Sequence, residues 1–321
     1  MTAYVIRRVA FLVPTIILVS IVLFLTIRLM PGSVVDLMVR EQSMDTVSFG
    51  KMDRDAVRRA LGLDLPVHIQ YLHWVRDSVL SGNLGKSLWT NRTVVQDMAD
   101  RLPVTFELGL LAVITSSIIA LPIGIYSAIR QDTWLDYIGR SFSIVCLAAP
   151  AFWLATMLIV YGAVYWNWSP AVKYVPFSEN PIENLKIIII PAILVGLASS
   201  GAIMRYSRTL MLETLRQDYI RTAWSKGLKE RVVVIRHALK NTLIPLITIM
   251  APELSIVIGG SVIMEQIFCL PGMGRYLLEM IRVRDYMLVS GTNLVFATFT
   301  MLLILLTDLS YAYFDPRVRY K

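Results

Sequence analysis

Long apolar runs without a single charge are the feature that most constrains how this chain can fold. Five such runs occupy residues 9–27, 108–129, 141–172, 187–204 and 286–307. About 18 consecutive apolar residues are enough to cross a bilayer as a helix. Because 56% of the 321 residues are hydrophobic and only 17% are charged, the pattern excludes a water-soluble globule and predicts an all-α polytopic membrane protein.

A sixth apolar stretch at residues 241–264 contains one charge, Glu253. Because a segment this apolar is unfavourable in water, we expect it to span the bilayer as well. We therefore predict six transmembrane helices. The first helix lies within residues 1–30, and no small-x-small cleavage site follows it, so we interpret it as a retained span. The other spans are predicted at residues 105–129, 139–164, 187–207, 242–264 and 287–311.

Glu253 is a candidate residue of a transport pathway. A carboxylate near mid-membrane costs about 2.5–3.5 kcal/mol on insertion scales, so it usually faces a cavity, a partner or a pathway. It could line a pore and meet a peptide amino terminus or another cation. It could equally pair with a basic group of this chain or of a sister subunit, and the sequence leaves both readings open.

The distribution of charge orients the chain. Residues 205–242 carry nine basic and three acidic residues, whereas residues 31–102 carry nine of each. Since Lys and Arg accumulate in cytoplasmic loops, we predict that both termini and the segment 208–241 are cytoplasmic and that the protein is a multi-pass protein of the cytoplasmic membrane. The basic excess is thereby explained without nucleic acid.

Residues 31–104 form a segment too long for a simple connector. Asp53 can cap a helix that stops at Gly62, and Pro66 can open a second helix before Gly82. We therefore predict a small helical subdomain outside the cell. The alternative is a loop that only shields the ends of the spans.

No set of residues typical of catalysis, metal binding or nucleotide binding is found. Residues 82–87 (Gly-Asn-Leu-Gly-Lys-Ser) resemble the end of a phosphate-binding loop, but only two residues separate the glycines where four are needed. The two cysteines are expected to be free thiols, and the three histidines lack zinc-type spacing. We expect no cofactor or metal on this chain and no enzymatic activity.

The cytoplasmic segment contains a short predicted helix. Asp218 can cap it, Gly227 can stop it, and an apolar-aromatic stripe lies along it: Tyr219, Ile220, Ala223 and Trp224. Such a stripe with a basic surround suits docking into the groove of a partner protein. An interfacial helix on anionic lipid would have a similar composition.

Residues 218–228 (Asp-Tyr-Ile-Arg-Thr-Ala-Trp-Ser-Lys-Gly-Leu), followed by 237–241 (His-Ala-Leu-Lys-Asn), resemble the cytoplasmic signature loop of binding-protein-dependent ABC importer permeases. Only Ala223, Gly227 and Leu239 agree with the generic form of that loop. The departures match the form found in the dipeptide, oligopeptide and nickel subgroup, so they narrow the family to that subgroup.

Further matches cover nearly the whole chain and resemble the B-type permease of this subgroup. They are Arg7-Arg8 with Met30-Pro31-Gly32; residues 82–87; Glu265-x-Ile267-Phe268-x-x-Pro271-Gly272-Met273-Gly274 with Arg284-Asp285-Tyr286; and the closing Asp308-Leu309-x-Tyr311 and Asp315-Pro316-Arg317-Val318-Arg319. Together they are specific, although each alone would be weak.

The resemblance implies the type I permease fold of an ATP-driven importer for dipeptides or oligopeptides. Two cytosolic ATPase subunits would bind ATP and Mg²⁺, a second homologous permease would complete a heterodimer in the bilayer, and an extracytoplasmic substrate-binding protein would deliver the ligand. The implied ATPase-coupling helix consists of Asp218, Tyr219, Ile220, Arg221, Thr222, Ala223, Lys226 and Gly227. The implied end of the signature loop consists of His237, Leu239, Lys240 and Asn241.

Two kinds of alternative stay open. Nickel and oligosaccharide importers share these motifs, so the substrate is not fixed. In a different class, a stand-alone channel or secondary transporter would lay the cytoplasmic helix on lipid and would use Glu253 for a coupling ion. A membrane enzyme is disfavoured by the missing catalytic set.

Overall fold

A computed structural model describes residues 2–29, 55, 58–59, 62–80, 82–87, 89–90, 92–171 and 173–314. Side chains within the helices are described except at 2–5, 27, 79–80, 244, 248, 251–260 and 307–314. The described elements are helical: α1 Thr2–Leu29, α2 Val67–Leu80, α3 Val94–Ile129, α4 Trp134–Ala148, α5 Ala151–Trp166, α6 Pro181–Leu215, α7 Asp218–Ser225, α8 Glu230–Val232, a π-helix Val233–Leu239, α9 Lys240–Ile267, α10 Met273–Arg282 and α11 Tyr286–Phe314.

Four of these helices contain stretches long and apolar enough to cross a membrane. They are Ile6–Thr26, Val94–Ile129, Pro181–Leu215 and Tyr286–Leu306, and the bent pair α4 and α5 makes a fifth candidate. An all-α membrane protein is thereby confirmed. The predicted span 242–264 lies in α9, but the side chains of 251–260, Glu253 among them, lie outside the described set. The count of six spans and their orientation stay predictions.

The apolar run 141–172 is divided in the structure. Helices α4 and α5 meet at an angle of 89°, although the sequence pattern predicts one span over 139–164. The break falls at Ala149 and Pro150, which have extended backbone angles (ψ 114° and 130°). Proline disfavours helical geometry in the residue before it and has no N–H for a helical hydrogen bond.

The described residues fall into two compact units, the first built mainly from Pro103–Gly274 and the second from Ile6–Leu102 and Arg275–Leu302. In the first unit, α6 is central and packs closely on its neighbours. A Cβ atom on Gly196 would lie 2.6 Å from the carbonyl oxygen of Ala112, and one on Gly201 would lie 2.7 Å from that of Ser143. Small residues at these two positions therefore permit backbone-to-backbone contact, as is common between membrane helices.

In the second unit, α2 packs against α1 through aromatic residues. The Phe24 and Trp74 ring centroids lie 5.7 Å apart, and the hydroxyls of Ser20 and Tyr71 are 2.8 Å apart. Helix α2 begins directly after Pro66, as the sequence predicts. Of the predicted 53–62 helix, Asp53 lies outside the described residues.

Residues 82–87 are a structural connector within the second unit. The Ser87 hydroxyl donates to Asp285 Oδ2 at 2.6 Å, and both side chains are buried. Nearby, the Tyr276 hydroxyl donates to Asp97 Oδ2 at 2.6 Å, and burial together with this carboxylate raises the pKa of Tyr276. The sequence that resembles a phosphate-binding loop therefore uses its serine to join the segment that precedes α11.

Candidate functional site: the platform around helix α7

Helix α7 (Asp218–Ser225) is a two-turn helix with a defined end. Gly227 adopts a left-handed φ of 71°, and its N–H donates to Trp224 O at 2.9 Å. This arrangement is typical of glycine after a helix and confirms the predicted stop. The predicted cap is wrong: Gln217 takes that position without a side-chain bond, and Asp218 is the first helical residue, where its charge favours the helix N-terminus.

The inner face of α7 is anchored in the chain's own core. Ile220 is fully buried and Ala223 is 5% exposed. They belong to a buried cluster that also contains Ala128, Met211, Val233, Val234 and Ala238. Because these partners come from α3, α6 and the π-helix, helix α7 is held against the ends of two candidate spans.

The outer face presents two aromatic side chains. Tyr219 is 43% exposed and Trp224 is 45% exposed. The neighbouring side chains of Arg221, Thr222, Ser225 and Lys226 are also exposed. The predicted stripe is therefore split, because positions three apart (220 and 223) share one side of the helix while 219 and 224 flank it. Tyr219 and Trp224 are the apolar groups available to a partner.

The end of the signature loop returns to α7. The Asn241 side-chain amide lies 3.0 Å from both the Tyr219 hydroxyl and the His237 carbonyl oxygen. Leu239 is half-buried and Lys240 is exposed. The structure thus brings the two parts of the predicted signature, 22 residues apart at this contact, into one platform.

Two further bonds tie the platform to the span ends. Arg130, in the turn after α3, lies 3.3 Å from Glu230 of α8, with both side chains about half exposed. The buried Thr242 hydroxyl lies 3.1 Å from that of Thr214 on α6. A movement of α7 would therefore be transmitted to α3, α6 and α9.

A buried ion pair was missed by reasoning from sequence. Asp136 of α4 is fully buried, and Arg208 of α6 binds it through two nitrogens at 2.9 and 2.7 Å. The Ser127 hydroxyl and the Asp132 N–H also donate to the same carboxylate. Both charged residues lie just beyond predicted spans, which was the available signal, but their 72-residue separation hid the pairing.

Another buried acid, Glu265, explains one glycine of a matched motif. It accepts from the Thr105 hydroxyl at 2.7 Å, and Thr105 in turn accepts from the Met273 N–H at 2.8 Å. A Cβ atom on Gly272 would lie 2.2 Å from the carboxyl carbon of Glu265. The motif therefore folds back over its own acid. The side chain of Glu253 lies outside the described set, so its predicted role in a pathway stays a prediction.

Within the described part of the chain, no three His, Cys, Asp or Glu side chains are grouped as a metal ion would require. What the arrangement offers is mechanical: a rigidly backed helix with an aromatic outer face.

Comparison with known proteins places this architecture in a family. Residues 120–320 match the family described as "Binding-protein-dependent transport system inner membrane component", and residues 1–109 match "Binding-prot-dependent transport system membrane comp, N-term".

Relatives match over their full length. A Brucella abortus (strain 2308) protein that carries the name of a peptide transport system permease is 37% identical, with all of both chains covered. The dipeptide transport system permease proteins of Alkalihalophilus pseudofirmus and Escherichia coli (strain K12) are 36% and 32% identical, also with complete coverage of both chains. The chain therefore belongs to the family of inner membrane components of binding-protein-dependent transport systems.

Proposed function

We propose that this chain is a permease subunit of an ATP-driven ABC importer for dipeptides or oligopeptides. Family membership supports the permease role, and the names of full-length relatives support peptides as the substrate class. The chain would form half of the translocation pathway, and a second, homologous permease would form the other half. Both would lie in the cytoplasmic membrane.

The observation that carries the proposal is the two-sided character of α7. Its inner face is locked by Ile220 and Ala223, while Tyr219 and Trp224 are left exposed. Partly exposed aromatic side chains on a fixed helix are the usual anchors of a protein interface. An ATPase subunit that receives this face could move the platform as one body when ATP closes the ATPase pair.

The membrane topology proposed for this function has six spans and both termini in the cytoplasm. Residues 105–321 would be the permease core, with spans at 105–129, 139–164, 187–207, 242–264 and 287–311 and the coupling segment at 208–241. The first span would lie within 1–30. The excess of basic residues in 205–242 supports this orientation.

Residues 31–104 would form the extracytoplasmic subdomain and contact a substrate-binding protein. Helix α2 and the connector 82–87 belong to this segment. Because permeases of this kind receive ligand from a separate protein, the choice among peptide, nickel and oligosaccharide would be made largely by that protein. The test is to purify the substrate-binding protein encoded beside this permease and to measure its binding of a dipeptide, of Ni²⁺ and of an oligosaccharide.

The coupling role is tested with the complete transporter in proteoliposomes. Trp224→Ala should weaken retention of the ATPase subunits by at least tenfold and reduce peptide uptake per ATP hydrolysed, because truncation of an aromatic anchor commonly costs about 2 kcal/mol or more. Trp166→Ala is the matched control, since Trp166 is 72% exposed at the end of α5. Tyr219→Phe keeps the ring and removes only the bond to Asn241.

Unchanged uptake and unchanged ATPase retention in Trp224→Ala would remove α7 as the docking element. Transport by the purified chain without ATPase subunits would instead support a stand-alone channel or secondary transporter. Replacement of Ala223 is not a suitable test, because Ala223 is buried in the chain's own core and its loss would damage the platform itself.

A further inference from the structure

A cavity lies within the second unit, where α1 ends and α11 begins. Its volume is about 380 Å³. Its lining combines apolar and polar side chains, among them Phe24, Arg28, Gln70, Trp74, Asp77 and Tyr286. None of these residues belongs to the platform around α7.

Arg28 is a cation without a carboxylate partner among the described residues. Its guanidinium carbon lies 5.2 Å from the Phe24 ring centroid and 5.3 Å from that of Tyr286. Two aromatic rings hold the group in place, but they do not neutralise its charge as an anion would. A half-buried arginine in such a setting is suited to bind an oxyanion.

Trp74 supplies a second donor. Its side chain is 6% exposed, and its Nε1–H has no hydrogen-bond partner in the part of the chain that the structure describes. A buried N–H of this kind costs free energy unless a ligand accepts from it. The cavity also contains acceptors: Gln70 Oε1 is buried and has no hydrogen-bond partner within the described ranges, and Asp77 lines the same space.

The position of the cavity indicates what kind of anion would reach it. The apolar span of α1 ends at Thr26, and that of α11 begins at Tyr286. Arg28 lies over the Tyr286 ring, so these two span ends adjoin each other, as they would at the boundary between acyl chains and headgroups. Arginine, tryptophan and tyrosine are the side chains that favour this interface.

We propose that this cavity binds the headgroup of a phospholipid, with phosphatidylethanolamine as the best chemical match. The phosphodiester would accept from Arg28 and Trp74, and the ammonium would donate to Gln70 and Asp77. Phe24 and Met287, which also line the cavity, would contact the apolar part of the lipid. A bound lipid would then fasten α2 to the first and last spans.

Native mass spectrometry of the purified full chain after delipidation tests this proposal. Phosphatidylethanolamine should bind more tightly than a diacylglycerol with the same acyl chains or than inorganic phosphate. Arg28→Gln should weaken phosphatidylethanolamine binding about tenfold, because a charge-assisted hydrogen bond is lost. Trp74→Phe removes the N–H while keeping a ring, and it should weaken binding several-fold.

Arg282→Gln is the matched control, because Arg282 is exposed and does not line the cavity. Equal binding of phosphatidylethanolamine and diacylglycerol would overturn the proposal, because the cavity would then bind only the apolar part of a lipid. Tighter binding of inorganic phosphate would overturn it in favour of a free-anion site. If Arg28→Gln and Trp74→Phe both bind phosphatidylethanolamine as tightly as the wild type, the proposal is overturned.

Discussion

Removing Arg208 should destabilise the first unit more than removing the charge of its partner. Asp136 is fully buried, whereas Arg208 is 21% exposed. Loss of the arginine leaves a carboxylate that cannot reach water, and breaking a buried pair in this way costs about 3–5 kcal/mol. Asp136→Asn leaves a guanidinium that can still be solvated, so its expected cost is about 1–3 kcal/mol.

The double variant Asp136→Asn/Arg208→Gln removes the uncompensated charge. Its free energy of unfolding should therefore lie above that of Arg208→Gln alone, which is the signature of a coupled pair. Ser127 and the Asp132 N–H remain to bond the amide that replaces the carboxylate. The expected order of stability is wild type, Asp136→Asn, the double variant and then Arg208→Gln, with the middle two close together.

Equilibrium unfolding of the purified chain in mixed micelles with increasing SDS, followed by tryptophan fluorescence, measures these differences. Arg221→Gln is the matched control, because the Arg221–Asp218 pair is exposed (73% and 95%) and should contribute almost nothing to stability. The reasoning is refuted if Arg208→Gln is no less stable than Asp136→Asn, or if the control loses as much stability as Arg208→Gln.

Three further results are expected. Gly227→Ala should lower the free energy of unfolding by about 1 kcal/mol, since a side chain is strained at φ 71°. Gly196→Ala should lower it more, because the added Cβ atom would meet the backbone of α3. Equal losses in the two variants would contradict this reasoning. Ser87→Ala should loosen the connector at Asp285 and speed amide hydrogen exchange in residues 82–87, and unchanged exchange would show that the 2.6 Å bond is dispensable. Glu253→Gln in reconstituted transporter should alter uptake or peptide preference, and wild-type behaviour on both counts would remove Glu253 from the pathway.

The candidate spans and the short helix α7 could be anticipated because their signals are local. An uncharged apolar run predicts a membrane helix wherever it occurs, and glycine after residue 226 ends a helix through its own backbone freedom. The break at Pro150 was also encoded locally, but the continuous hydrophobicity of 141–172 masked it. Hydropathy is averaged over a window of residues, so a single proline that interrupts a helix hardly changes its value.

The two faces of α7 illustrate what local patterns cannot supply. The sequence places Tyr219, Ile220, Ala223 and Trp224 in one apolar stripe, but it does not say which of them the rest of the chain will cover. That choice depends on Met211 and Val233, which are close in space but come from different helices. A contact between distant segments has no signature in either segment alone.

The sequence by itself therefore determined the class of the protein: its apolar runs require a bilayer, its charges indicate an orientation, and its spaced motifs indicate a permease. The tertiary structure alone decided which groups are available for function. It buried Ile220 and exposed Trp224, paired Asp136 with Arg208, and left Arg28 facing a cavity. The physical reason is that burial and charge pairing are properties of packing between helices, and packing is fixed only when the whole chain folds.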